Sequence, residues 1–581
     1  MDESFKYGEL ENLNMKQLIP SLFVLMIVGC SDSIPIEASD TPSPDDLVAH
    51  SEEFRKEVIE VTDGVHVAVG YALANAILVE GDNSNIIIDT TGTIETAEEV
   101  KKLFDEINSN PVGAIIYTHN HADHTYGATV FAEESNPEIY AHSSTGEYLS
   151  RVIGILRPII SARSNRMFGN ALPKEEVENN GIGPFLEIGR DGRRPGLLYP
   201  TNTFDDKLKF EVGGIEIELF HAPGETNDQL FVWIPEKKAL FPGDNFYKTF
   251  PNLYTIRGTP YRDLVGWVNS IDMMRYLEPE YLIPSHTRPL EGRANIYDKL
   301  TTYRDGIQYV HDQTVRLMNL GLGPDEIAEK LILPKHLGDS PFLKEFYGSP
   351  AWSAKNVFSG YLGWFDGNPS TLKPLPKKEE AENFIKLVGG WDNLFEIAEN
   401  SYMEGGFQWA LQLTDYLLRL RPNDEKTELL RQSCLIALGN QESNPNSRYY
   451  YLSSAAQLDK DYQENDILLP DIEVIKKYPI ESMMDTLKVN VIPEKSLDKN
   501  IQLLFTFTDS SKVFSIFLRK GVLEVQPFLI SGSSVQITSK EEDLKAILSG
   551  IKSLPISLVN GTLDIEGSRT DLLSFFASLR N

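Results

Sequence analysis

The chemistry in this chain is concentrated in one short stretch. Thr118-His119-Asn120-His121-Ala122-Asp123-His124 places three imidazoles and one carboxylate within six residues. Neutral imidazole and carboxylate are ligands that Zn²⁺ takes at catalytic sites. A tight loop can aim His119 and His121 at one ion, and Asp123 and His124 at a second. The chain has ten histidines and seven lie outside this cluster, so the grouping does not follow from general histidine richness. A loop of merely hydrogen-bonded histidines is the competing explanation. The density of ligand types, and their position after the apolar run Val112–Thr118, favour metal. The only cysteines, Cys30 and Cys434, exclude a site built on sulfur and a disulfide-rich scaffold.

A two-metal site needs ligands from distant loops. Three candidate segments stand where strands are expected to end: Ala222-Pro223-Gly224-Glu225-Thr226, Phe241-Pro242-Gly243-Asp244-Asn245 and Leu282-Ile283-Pro284-Ser285-His286. The elements that must position them are legible from pattern. Residues 58–92 read as strands separated by Gly, Asn and Asp turns. Thr96–Asn108 reads as a helix, and 112–118, 208–220, 230–234 and 239–244 read as further strands. This alternation points to an α/β sandwich. Residues near 295–440 turn helical, with two amphipathic stretches in 396–438 meeting at Arg421-Pro422-Asn423. From about residue 490 a β-meander is expected, followed by helices over 540–549 and 570–580.

The arrangement resembles the metallo-β-lactamase fold, an αββα sandwich, with Asn75–Asp89 matching its early strand pair. That resemblance implies two Zn²⁺ per chain. His119, His121 and Glu225 would hold one, Asp123, His124 and His286 the other, and Asp244 would bridge, with Asp123 and Asp244 the catalytic carboxylates and Asp89 a supporting acid. Ordinary members carry His where Glu225 stands. A carboxylate there is similar to the alkylsulfatase, or SDS hydrolase, branch. So are Asn252-Leu253-Tyr254-Thr255-Ile256-Arg257-Gly258, the segments 309–314 and 360–369 of its helical dimerisation region, and a C-terminal α+β sterol-carrier-like domain. Three departures stand out: Tyr126-Gly127 in place of Gly-Gly, Pro-Gly-Glu-Thr in place of Pro-Gly-Thr-Glu, and Asp244 where Glu is usual.

The resemblance implies zinc-dependent hydrolysis of alkyl sulfate esters to alcohol and inorganic sulfate. Alternatives are a phosphoester or thioester hydrolase of the same fold, or an apolar-ligand-binding lipoprotein. Glu225 in place of His costs the site one positive charge, so side chains must help attract a sulfate monoanion. Arg257 is the first candidate, because a guanidinium fork matches paired anionic oxygens. Asn252 and Tyr254 could add hydrogen bonds, and Arg262 is a weaker extra. Arg163, Arg166 and Met167–Pro173 resemble a substrate-side loop. Tyr347, Trp352, Phe358, Tyr361, Trp364 and Phe365 are expected at a homodimer surface and along an apolar channel. His142 and His221 read as structural.

The 581 residues allow about two to four domains. With 54 Lys and Arg against 85 Asp and Glu, the net charge is −31, which argues against a general nucleic-acid binder. Leu18–Val28 is an apolar run of signal-peptide length, and Ile27-Val28-Gly29-Cys30 resembles a lipobox. Met15-Lys16-Gln17 would make a better start than the acidic first residues. The expected organisation is a lipoprotein signal peptide over 1–30 and a linker over 31–50. A catalytic domain follows over 51–300, a dimerisation domain over 301–450 and a sterol-carrier-like domain over 451–581. Lipidated Cys30 would tether the protein to the outer membrane of a Gram-negative cell, facing the periplasm or the surface.

Overall fold

The computed structural model describes residues 36–190, 192–462 and 472–579. The apolar leader, Met15 and Cys30 lie outside the described residues. Two sheets form the N-terminal half. The first runs β1 (Glu57–Thr62), β2 (Val65–Val69), β3 (Ala76–Val79), β4 (Asn85–Ile88), β5 (Val112–Ile116), β6 (Glu138–His142) and β7 (Asn202–Phe204), in that order. It is antiparallel as far as β4 and parallel beyond. The second holds β8 (Lys207–Val212), β9 (Ile215–His221), β10 (Leu230–Ile234), β11 (Ala239–Phe241), β12 (Tyr281–Leu282) and β13 (Leu290–Glu291), also in chain order.

Period-two alternation explains the layering. In β5, Ala114 and Ile116 face the second sheet, while Ile115 and the following Tyr117 face outward. In β10, Leu230, Val232 and Ile234 meet the first sheet, while Phe231 and Trp233 point the other way. Both outer faces are apolar and are covered by helices. Ala97, Val100 and Phe104 of the helix Ile94–Ile107, spaced three and four residues apart, cover the first sheet. Thr93 caps that helix by accepting from the Thr96 N–H at 3.3 Å. The helices Leu264–Tyr276, Arg293–Asn319 and Pro350–Leu362 cover the second. The result is the expected αββα sandwich. Helix Arg293–Asn319 runs through residue 300, and Leu300 is buried in the core over β10 and β11.

Residues 391–441 form three helices, Trp391–Met403, Phe407–Leu420 and Glu425–Gln441, where two stretches were expected. The extra break falls at Gly405, whose φ of +86° ends a helix without steric cost. The C-terminal sheet has the order β16 (Val522–Gln526), β15 (Val513–Arg519), β14 (Asn500–Phe507), β17 (Val535–Ser539) and β18 (Asp564–Gly567). Phe505, Phe507, Phe514, Ile516 and Leu518 pack into its core with Leu544 and Phe575, so packing accounts for them. No helix among the described residues is long and apolar enough to cross a membrane.

Candidate metal centre

Five strand ends converge at one edge of the sandwich: Asp89 after β4, His119–His124 after β5, Glu225 after β9, Asp244 after β11 and His286 after β12. Asp89 ties three of these loops together. Its carboxylate accepts from the Thr118 N–H and hydroxyl, both at 2.9 Å, and from the Ser285 hydroxyl at 2.7 Å. Its Oδ2 also lies 2.7 Å from His124 Nδ1. This contact turns the other ring nitrogen of His124 toward the centre. The backbone at Asp89 is left-handed, with φ of 56°. His286 is aimed the same way, since its Nδ1 lies 2.9 Å from the Leu73 carbonyl. Gly243 precedes Asp244 at φ +57°, where a Cβ would stand 2.1 Å from Gln229 Nε2.

Potential ligand atoms of His119, His121, Glu225 and Asp244 lie within 4.8 Å of one another, and those of Asp123, His124 and His286 form a second such group. Glu225 Oε2 is 3.1 Å from His121 Nδ1 and 3.4 Å from His119 Nε2. Asp244 stands between the groups. Its carboxylate is 3.2 Å from His286 Nε2, 3.5 Å from His124 Nε2 and 3.7 Å from His119 Nε2. Four buried atoms facing this space, His124 Nε2, His286 Nε2, Glu225 Oε2 and Asp244 Oδ1, have no partner in hydrogen-bonding geometry among the described residues. Buried polar atoms without partners are costly. Nitrogen and carboxylate donors orphaned in two adjoining groups fit divalent cations.

The carboxylates and His121 are in the protonation states that ligands need. At His124 and His286, by contrast, burial is outweighed by Asp244 and Asp123, which raise the imidazoles, so a cation would have to displace their protons. Burial opposes ionisation of Glu225, yet Arg262 and His121 outweigh it and hold the carboxyl well below the usual range. Burial is likewise outweighed at Asp123 by His124 and His286, and at Asp244 by His286 and His124. Burial instead dominates at His121 and lowers its imidazole to about 4. A His121 held neutral can act as a ligand at ordinary pH.

The flanking arginines divide the labour. Arg262 Nη1 lies 2.9 Å from Glu225 Oε1 and donates to the Asn252 carbonyl, and both members of the ion pair are only 2 % exposed. Arg262 thus offsets the negative charge that Glu225 brings to a position where a neutral imidazole is usual. Arg257 Nη2 stands 3.0 Å from His121 Nε2 and has no carboxylate partner among the described residues. Asn252 is fully buried with both amide atoms unpartnered, and neither it nor Tyr254 lines the cavity. Asp228 accepts from Asn120 Nδ2 at 2.6 Å and from the Thr145 hydroxyl at 2.8 Å, so it braces the loop between His119 and His121. His142 and His221 stack on each other at 3.9 Å.

A cavity of about 410 Å³ opens on the cluster. His121, Asp123, Glu225, Asp244 and Arg257 line its floor, and Leu73, Leu156, Phe168, Ile182 and Leu186 line its walls. The aromatic stretch is divided. Tyr347 reaches the cavity, Phe358 is in the core, and Tyr361 and Trp364 are exposed at 53 % and 74 %. Sequence reasoning missed a buried carboxyl and the helical form of one cavity wall. Glu187 accepts from the Leu73 and Gly92 N–H groups, both at 3.3 Å, and burial pushes its carboxyl up to about 7. The segment expected as a substrate-side loop begins as the helix Arg157–Met167, which forms a cavity wall; Phe168 lines the cavity, whereas Arg163 and Arg166 do not.

Three family models match: metallo-beta-lactamase superfamily over 69–286, alkyl sulfatase dimerisation over 323–461 and alkyl sulfatase C-terminal over 470–581. A linear primary-alkylsulfatase from a Pseudomonas species is 32% identical over 519 residues, covering 86% of this chain and 97% of that one. The chain belongs to the alkylsulfatase family. An alkyl/aryl-sulfatase of Saccharomyces cerevisiae is 28% identical, covering 89% of this chain and 82% of its own. The solved stereoselective inverting sec-alkylsulfatase from Pseudomonas shares the fold, with a TM-score of 0.84 at 24% identity over 90% of this chain and 85% of that one. This alkylsulfatase is therefore a metallo-β-lactamase-fold sulfuric ester hydrolase, and its fold implies divalent metal.

Proposed function

We propose that the chain hydrolyses alkyl sulfate monoesters to the alcohol and inorganic sulfate with two zinc ions. His119, His121 and Glu225 would hold the first, Asp123, His124 and His286 the second, and Asp244 would lie across both. Bound zinc would supply Lewis acidity toward the ester oxygens and a water that ionises near neutral pH. Asp89 and the Leu73 carbonyl keep His124 and His286 in the orientation their contacts fix. Arg257 would fix the sulfate oxygens, the cavity walls would hold the alkyl portion away from water, and water supplies the atoms that convert R–O–SO₃⁻ to alcohol and sulfate. The observation that carries this reading is Arg257, which is part-buried, 3.0 Å from a candidate ligand and without a carboxylate partner among the described residues. The dimerisation model over 323–461 and the exposed Tyr361, Leu362 and Trp364 support a homodimer. Tethering through a lipidated Cys30 is part of the same proposal.

The test is a panel of dodecyl sulfate, a phosphodiester and a thioester, run on the purified protein with zinc. Sulfate release lost in His121→Ala and Glu225→Ala, with about two zinc per chain by metal analysis, is the expected outcome. Turnover of the other esters alone overturns it.

A further inference from the structure

The helix Arg157–Met167 presents one face to the cavity. Arg157, Ile160, Ser161, Ser164, Asn165 and Phe168 all line it, at intervals of three and one residues that place them on a single helical stripe. Four of the six are polar. Among the described residues, none of the Arg157, Ser161, Ser164 and Asn165 side chains has a hydrogen-bond or ion-pair partner. Some helical hydroxyls of the chain bond back to the carbonyl four residues earlier, although Thr302 and Ser359 do not. Thr314 bonds to Val310, Ser353 to Ser349 and Ser454 to Tyr450. Ser161 and Ser164 do not bond back.

The arginines of this region divide in the same way. Arg163 donates to the Ile256 carbonyl at 2.6 Å, and Arg166 to Gln457 Oε1 at 2.7 Å. Arg157, half-buried at the cavity, and Arg151, one π-helical turn earlier at its rim, pair with no described carboxylate in a chain of net charge −31. Arg157 faces Tyr126, not the carboxylates beside Arg257. The Arg163 bond to Ile256 and the approach of Ile160 to Gly258 set the middle of the helix beside the Arg257 segment, and Arg157 lies about one turn beyond Ile160. Glu225 and Asp123 both act on Arg257, whereas Tyr126 is the titratable side chain that acts on Arg157. A plain alkyl chain satisfies none of these groups, and desolvating them against one is unfavourable.

We propose that Arg157 and Arg151 form a second anion subsite, fringed by Ser161, Ser164 and Asn165, that binds an acidic group at the far end of the alcohol portion. The preferred substrates are then sulfate monoesters that carry a second anion, a carboxylate or a second sulfate, across an apolar spacer. This rests on the sulfate-ester reading and narrows its substrate class.

The experiment compares three esters of equal chain length on the zinc-loaded full chain: a plain alkyl sulfate, an ω-carboxyalkyl sulfate and an alkane α,ω-bis-sulfate. The native protein should show a KM about tenfold lower for at least one dianionic ester than for the plain one. Arg157→Gln should raise that KM about tenfold with little change in kcat, and should leave the plain ester's KM within about twofold. Arg157→Lys should keep part of the preference, which separates charge recognition from misfolding. The ester that responds identifies the anion. Equal rises for plain and dianionic esters would mean general steering and overturn the subsite, as would no native preference. Absence of turnover for all three would sink the sulfate-ester reading itself.

Discussion

At the floor of the cavity the candidate ligands are braced by neighbouring side chains, while the cavity-facing polar groups of the helix Arg157–Met167 have no partner among the described residues. Asp89 holds His124, Thr118 and Ser285; Arg262 holds Glu225; Asp228 holds Asn120. The wall helix is anchored from behind, through Arg163, Arg166 and its packing on Pro445–Ala456, and its cavity stripe is left open. The contrast separates two tasks. Groups that hold cations must be oriented before the cation arrives, so they carry a supporting shell. Groups that select substrate have their hydrogen-bonding capacity left for the ligand.

Breaking the braced end should give the largest effects. Asp244→Ala removes the carboxylate shared by both ligand groups, and kcat/KM should fall by about a thousandfold or more, with loss of bound metal seen by metal analysis. Arg262→Gln strands the buried Glu225 carboxylate. Metal affinity should drop about 10–100-fold and stability by about 3 kcal/mol, measured by metal titration and calorimetry. Asp89→Asn keeps the shape but weakens the hold on His124, and about a tenfold loss of activity is expected.

Two smaller tests sharpen the comparison. Glu187, pushed up to about 7 by burial, holds its proton more tightly in the folded chain than its ordinary 4.5 would allow. Its contribution is therefore full below about pH 4.5 and is lost as pH rises through about 7. Glu187→Gln should raise Tm by about 3 °C at pH 8 and change it by under about 1 °C at pH 5 in thermal melts. Tyr478 donates to the Ser150 carbonyl at 3.0 Å and so ties the start of the cavity wall to a segment beyond residue 472. Tyr478→Phe should cost about 1 kcal/mol in denaturant unfolding and leave metal content unchanged, because it touches only the open side.

How much was legible follows from how local each signal is. The histidine cluster lies within one loop, and the apolar runs of β5 and β10 state their own strands. Glu225, Asp244 and His286 could be nominated because each follows a strand end marked by Pro-Gly or Pro-Ser. The break at Gly405 was missed because the apolar pattern continues on both sides of it. The helical form of the cavity wall was missed because the segment has no single apolar stripe: one face meets Pro445–Ala456 and another meets the cavity.

The amino-acid order alone determined the ligand types, the sandwich that carries them, and a charge deficit at Glu225. Only the tertiary structure decided how that deficit is met, since Arg262 lies thirty-seven residues away and no periodicity links the two. Likewise, only folding decided which arginines remain open. Arg157, Arg163 and Arg166 share a helix and a residue type, and differ in what packing brings within hydrogen-bond reach. Side-chain chemistry is written in the chain, but pairing depends on distance, and distance is set by the packing of segments remote in sequence.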